Sequence, residues 1–346
     1  MLSLPFLLAT DGSESAHVAQ TWLYAIAGSL ATMDTAAPAV VVLAVQPTRS
    51  RLRASFPRGG PLLAKPTVKE ATSEPAITPE QLAQLQAEYP TPFPVDYRWQ
   101  QGRPTTEILN CARSIGTGLI ALGSGTKRTG RDRLLGSVAA VIARYAPCSV
   151  LIARQSQPIA GPPLGHLLIL LNQVATTQQA IALLRQLVPA GVHRVTLLRV
   201  QLPVNASYLF GPFTNPNPSW QLNQSLQAAQ KEQGEHLLQQ AKALILEAHP
   251  QLEVQTALHI GEAGQVVCEV AQQLSISLIV LTSAGDRQSL LKPLQNLRQP
   301  QSPPRPLRNT RLDPTEDYII HHASCPVLLH RPVVPQAPIH LISGKQ

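Results

Sequence analysis

The chain reads as an α/β protein built from two repeated, open, parallel five-stranded sheets with helices on both faces. Three observations predict this. Short apolar runs alternate with helical patterns along the length, which implies parallel strands joined by right-handed crossovers. The alternation runs through twice. The two passes also align without a gap at their ends, with Tyr145-Ala-Pro-Cys-Ser-Val-Leu-Ile-Ala-Arg154 lying over His322-Ala-Ser-Cys-Pro-Val-Leu-Leu-His-Arg331.

The first pass opens with an apolar strand, Pro5–Thr10, and a helix over Ser15–Leu30. Strand Ala39–Val45 is continuously apolar, as a strand covered on both faces must be. A Pro- and Arg-rich stretch, Pro47–Ala76, reads as a long surface loop. Helix Pro79–Glu88 has Thr78 as N-cap and proline at its first position. Strand Val95–Gln100, helix Thr105–Ser114, strand Gly118–Leu122, helix Ser137–Ala146 and strand Ser149–Ala153 complete the unit.

The second pass has strand His166–Leu171, a helix over Thr177–Leu187 and strand Arg194–Val200, then a loop over Pro203–Pro218. A long Gln-, Ala- and Leu-rich helix, Leu222–Ala248, leads to strand Glu253–His259, helix Gly264–Leu274 and strand Leu278–Thr282. A Pro- and Arg-rich loop, Gln299–Arg311, precedes helix Thr315–His322 and strand Pro326–His330. Gly102 lies over Gly261. The expected domains are 1–155 and 166–332, with a linker at 156–165 and a tail at 333–346.

Length and composition agree with two domains: 346 residues, 44% hydrophobic, 4% aromatic. No run of about 18 or more uncharged apolar residues predicts a membrane span. Leu2–Ala9 lacks a basic flank and leads directly into Thr10-Asp11-Gly12-Ser13, so it reads as a strand and turn; the expected compartment is the cytoplasm. The net charge is +8, with fifteen basic against ten acidic residues in 1–160 and thirteen against ten thereafter. The excess is mild, and no stacking aromatics accompany it, so nucleic acid is not the expected partner. The four cysteines (Cys111, Cys148, Cys268, Cys325) form no CxxC pair and read as small buried hydrophobes. His321-His322 near Cys325 lacks a second ligand pair of zinc spacing.

The most informative stretch is Gly123-Ser-Gly125-Thr126, which follows the apolar run Leu119–Leu122; Gly136-Ser137-Val138 comes soon after. Small residues at the carboxyl end of a strand let a phosphate approach the main chain. A helix opening at Gly136-Ser137 supplies free N–H donors and partial positive charge. Strand, glycine-containing loop and helix N-terminus together argue for a bound nucleotide. Each residue also has a plainer reading. Asp11 could be a turn or capping residue, and Gly123 and Gly125 a tight turn. Gly136-Ser137 could be only a helix cap, and Val45 plain core. Lys127, Arg128, Arg131 and Arg133 could face phosphates or merely solvate a loop. No nucleophile–base pair, Walker lysine or suggestively spaced carboxylates appear, so no catalytic residue is assigned.

These residues carry a family resemblance. Leu8-Ala-Thr-Asp-Gly-Ser-Glu-Ser15, the spacing from Gly123 to Ala139, Gly102, Cys148 and the closing Val150–Ala153 strand resemble the universal stress protein family. The chain resembles two such domains in tandem. The resemblance implies an adenine nucleotide α-hydrolase-like fold and ATP, or ADP or AMP, as ligand, with Mg2+ or Mn2+ as a possible companion. Carried over, Asp11 meets the nucleoside and Val45 the adenine through its main chain. Gly123, Gly125, Thr126, Gly136, Ser137 and Val138 hold ribose and phosphates. Thr126 departs from the family motif, which has glycine there. The second half departs further: Asn172 replaces Asp11, and Asp313-Pro314 lies on Gly136-Ser137. A proline donates no N–H and an aspartate repels phosphate, so no nucleotide is expected there. The resemblance also implies antiparallel pairing of the two last strands as a pseudo-twofold dimer, with a further homodimer and an unknown protein partner open. The function it implies is a stress-response protein acting by nucleotide-regulated interaction. A nucleotide-free partner-binding protein and a slow ATP hydrolase are the alternatives.

Overall fold

The computed structural model describes residues 2, 5–31, 40–47, 78–88, 91–124, 135–154, 164–171, 174–203, 219–282 and 312–331. The expected loops at 47–76, 203–218 and 299–311 lie almost wholly outside these residues, as do Gly125, Thr126, the four loop cations and Asn172.

In the first half, β1 (Phe6–Thr10), α1 (Glu14–Ala31), β2 (Val40–Pro47), α2 (Pro79–Glu88), β3 (Val95–Gly102), α3 (Pro104–Ile115), β4 (Leu119–Gly123), α4 (Ser137–Tyr145) and β5 (Ser149–Ala153) follow in order. The second half repeats them as β6 (His166–Leu170), α5 (Val174–Leu187), β7 (Arg194–Gln201), α6 (Ser219–Ala248), β8 (Glu253–Ile260), α7 (Ala263–Gln273), β9 (Leu278–Thr282), α8 (Pro314–His322) and β10 (Val327–His330). Every expected element is present, most within a residue or two of its expected ends. Among the described residues the sequence reading missed one 3-10 turn, Val188–Ala190, which closes on Gly191 in a left-handed conformation at φ 107°.

The two five-stranded sheets join through the expected antiparallel pairing of their last strands. Ten strands run in the order β3-β2-β1-β4-β5-β10-β9-β6-β7-β8, all parallel within each half. β5 and β10 pair antiparallel across the middle, with Leu151 opposite Leu328, Val150 opposite Leu329 and Ile152 opposite Val327. The repeat alignment makes Leu151 and Leu328 equivalent, so the pseudo-twofold axis passes between them.

Helices α1, α2, α5 and α6 cover one face, and α3, α4, α7 and α8 the other. Each face has a core continuous through both halves. One holds Leu23 and Ile26 with Leu183 and Leu187; the other holds Ile142 with Ile319. Central strands β1, β5 and β6 are buried throughout because helices lie above and below them. The edge strands β3 and β8 are half exposed. Leu164, at the end of the expected linker, is fully buried.

At the seam each half caps a helix of the other. Arg331, just beyond β10, donates from Nη1 to the Ala146 carbonyl at 3.1 Å and from Nη2 to Ala143 at 2.6 Å. Those are the last-turn carbonyls of α4, orphaned by the helix end. Its repeat equivalent Arg154, 3% exposed, donates to the Ile320 carbonyl of α8. The exchange is not symmetric throughout. His330, fully buried, places Nδ1 3.2 Å from Ser149 Oγ, where the other end of the seam has Ala153. Burial pulls His330 down to about 4.

Candidate functional site

Within the first half the chain builds β1, β2 and β3 outward on one side, then crosses to build β4 and β5 on the other. The connections therefore diverge between β1 and β4, leaving a crevice at the carboxyl ends of those strands. In open α/β sheets this switch point is where ligands bind. The end of β1, with Asp11, and the end of β4, with Gly123 and Ser124, flank it. Val45 lies near the end of β2, beyond the pairing of Ala44 with Thr10.

The β1–α1 turn is internally bonded. Gly12 takes a left-handed φ of 73°, which glycine adopts without strain. Ser13 N donates to Asp11 Oδ1 at 3.0 Å, and Ala16 N donates to the Ser13 carbonyl and to Ser13 Oγ. Ser13 thus caps α1, while Asp11 is exposed and shapes the turn with one carboxylate oxygen. Both readings of Asp11 survive, since its turn role engages Oδ1.

Gly123 has a packing reason of its own. A Cβ there would lie 2.5 Å from Ala16 N and from the Ser15 carbonyl carbon. The start of α1 sits directly on the end of β4, and no side chain fits between them. Beside it, Ser124 donates its main-chain N–H to Ala153. Its hydroxyl is buried with no hydrogen-bond partner among the described residues. Sequence reasoning missed Ser124, although it lies inside the glycine motif at the strand exit.

Across the crevice, α4 begins at Gly136, whose φ is −61° and ψ 146°. The first intrahelical bond runs from Ala140 N to the Gly136 carbonyl. The amides of Ser137, Val138 and Ala139 precede it, and among the described residues no side chain caps them. An added Cβ at Gly136 would meet nothing within 4 Å. The glycine is thus not required by packing or by φ; it leaves the helix start bare. No acidic residue stands in the first turn of α4.

The equivalent place in the second half is closed. Asp313 takes φ −60° and ψ 145°, superposable on Gly136. Its Oδ1 accepts from Thr315 N at 3.0 Å, while Glu316 Oε2 accepts from Asp313 N at 3.1 Å. This capping box consumes the donors, and Pro314 supplies none. At the β9 exit, Thr282 stands where β4 has Gly123, its hydroxyl buried without a partner among the described residues.

No group of three or more His, Cys, Asp or Glu side chains converges on a metal position among the described residues. His321 Nδ1 lies 2.6 Å from the Asp317 carbonyl, and His322 stacks on Tyr318 with ring centroids 4.0 Å apart. Burial pushes the thiols up, Cys268 to about 11 and Cys148 and Cys325 to about 12, which leaves them protonated and unreactive near neutrality. No helix among the described residues is long and apolar enough to cross a membrane.

Fold and repeat together define a class: an α/β protein of Rossmann-like architecture made of two repeated halves, whose equivalent helix starts are capped in one half and uncapped in the other. The model of the universal stress protein family matches residues 5–154 and again 177–331, and the chain belongs to that family as a tandem member. Among solved structures, a functionally unknown protein, PA1789 from Pseudomonas aeruginosa PAO1, shares the fold. It is 14% identical, matched over 95% of this chain and 92% of that one, with a TM-score of 0.56. A universal stress protein from Archaeoglobus fulgidus DSM 4304 matches over 94% and 96% at 14% identity and a TM-score of 0.48. A universal stress protein family protein from Arabidopsis thaliana, solved with AMP bound, matches 48% of this chain and 90% of its own at 14% identity and a TM-score of 0.29. No curated protein matches the chain.

Proposed function

We propose that the first half, 1–155, binds ATP or a related adenine nucleotide in the β1–β4 crevice, and that the second, 166–332, does not. The observation that carries this is the bare start of α4 at the switch point. Three consecutive amides and the positive end of the helix dipole suit a phosphate group. In this reading the amides of Ser137 and Val138, with Gly136, grip phosphate. Gly123, Gly125 and Thr126 line the ribose–phosphate path. The free oxygen of Asp11 meets the nucleoside, and the Val45 main chain meets the base. Any Mg2+ or Mn2+ arrives on the phosphates. With no catalytic constellation assigned, nucleotide occupancy regulates contact with a protein partner rather than driving turnover.

Gly136→Asp tests the reading, because it transplants the second half's cap onto a backbone that already has its geometry. The carboxylate occupies the helix amides and repels phosphate. Calorimetry is expected to show ATP binding by the wild type and at least about a hundredfold loss in the variant. Thermal stability should be unchanged or raised, since an N-cap is gained. Equal heats from the two proteins would overturn it.

The nucleotide-free, partner-binding reading is favoured by one observation. Gly123 is explained by the packing of α1, with no ligand needed. Wild-type protein that gives no heat with ATP, ADP or AMP supports that reading instead.

A further inference from the structure

We propose that Arg331, supplied by the second half, is a positioning residue for the crevice of the first half. It holds the C-terminal end of α4 so that the bare amides at the other end stay aimed at phosphate. The inference rests on the nucleotide reading of α4.

Helix α4 has nine residues, so its two ends are roughly 13 Å apart and move as one short rod. Its N-terminal end, by Gly136, has no capping side chain to fix it. Its C-terminal end is held by a planar fork. The two terminal nitrogens of Arg331 reach the carbonyls of Ala143 and Ala146, three residues apart, which sets both the axial position and the rotation of the helix. The arginine is itself anchored on both sides of its main chain. Arg331 N donates to Ser149 Oγ at 3.1 Å, and Ser149 Oγ lies 3.2 Å from the Arg331 carbonyl. An exposed pair, Arg144 with Asp317 at 2.7 Å, ties the flank of α4 to α8. The second half thus contributes a grip on the helix that would bind, in place of a site of its own.

The pseudo-symmetry provides an internal control. Arg154 makes the equivalent contact to α8, donating to the Ile320 carbonyl. The far end of α8 is sealed by Asp313. Loss of Arg154 therefore removes a buried helix-capping arginine of the same kind without touching the helix assigned to phosphate. A role confined to stability predicts the same result for both arginines; a positioning role predicts different ones.

The experiment compares ATP affinity and thermal midpoint for the full-length wild type, Arg331→Met and Arg154→Met. Both variants should lower the midpoint. Arg331→Met should weaken ATP binding about threefold to tenfold, while Arg154→Met leaves the affinity at the wild-type value. Affinities that are equal in the two variants, whether both wild-type or both weakened alike, overturn the inference and leave the nucleotide site standing. No binding by the wild type overturns both. If Arg331→Met does not fold, Arg331→Lys against Arg154→Lys makes the same comparison. A single ammonium keeps the charge but cannot bridge two carbonyls, so the same ordering of affinities is expected and the same equality overturns it.

Discussion

Helices α4 and α8 sit in equivalent places, pack on the same face of one sheet and begin with almost identical backbone angles. They differ in what the first residue does with the donors behind it. Gly136 leaves them bare; Asp313 fills them with its own carboxylate and locks itself with Glu316. One half has a helix start with no capping side chain, and the other has a helix start completed by its own chain. In the proposed reading, stability and binding compete for the amides at this helix start, and a half that takes no nucleotide gains stability by a single substitution without any change of fold.

The comparison is broken most severely at the seam. Leu328→Asp puts an unpaired charge between two fully covered layers, opposite Leu151. It should cost at least about 4 kcal/mol. Because both cores run through both halves, urea denaturation of the whole chain should show one transition, shifted down. A surviving, unshifted transition for one half would show that the halves fold separately.

Next in size is the pH response, which belongs to one end of the seam only. His330 lies at about 4, below the ordinary value of 6.5, because burial disfavours its charged form. Between those values the unfolded chain binds the extra proton. This stability is therefore full above pH 6.5 and is lost as pH falls through the window, by of the order of 3 kcal/mol near pH 4. His166 and His249 are also pulled down by burial and add the same sign. Urea midpoints measured from pH 7 to 4 should fall less steeply in His330→Leu than in the wild type; identical slopes would remove His330 as a source.

Smaller is the cap itself. Asp313→Ala should destabilise the chain by about 1 kcal/mol in urea. It should not create ATP binding in the second half, because Pro314 still lacks a donor. A second nucleotide per chain in calorimetry of this variant would show that the aspartate alone kept the site shut. Smallest are the ion pairs at the two ends of the sheet, Arg98 with Asp96 within β3 at 2.8 Å and Arg194 of β7 with Glu253 of β8 at 2.7 Å, all partly exposed. Asp96→Asn and Glu253→Gln should leave the urea midpoint unchanged. A measurable drop in only one would mark that edge as less solvated than it looks.

Much of this was readable from the chain. The buried strands were legible because a parallel sheet covered on both faces must be apolar throughout, as in Leu119–Leu122 and Leu278–Leu281. The sealing of the second half was legible in Asp313-Pro314, since a proline's missing N–H is a covalent fact. Other features needed three dimensions. Gly123 looked like a phosphate glycine, yet its first neighbours are Ser15 and Ala16, more than a hundred residues earlier. The alignment placed Arg154 over Arg331 but could not say that each reaches across the axis to the other half's helix. A crossed contact and a direct one leave the same repeat in sequence. Val188–Ala190 was missed because a single 3-10 turn after a helix has too few residues to set a period.

The antiparallel join of β5 and β10 fixes a count as well as a shape. Two copies of a one-domain protein meet by diffusion, separate on dilution and bring identical crevices. Here the polypeptide is its own mate, at an effective concentration that dilution cannot lower. Under the proposed reading, a nucleotide beside Gly136 should therefore be taken up at one per polypeptide, while the seam itself persists at any dilution.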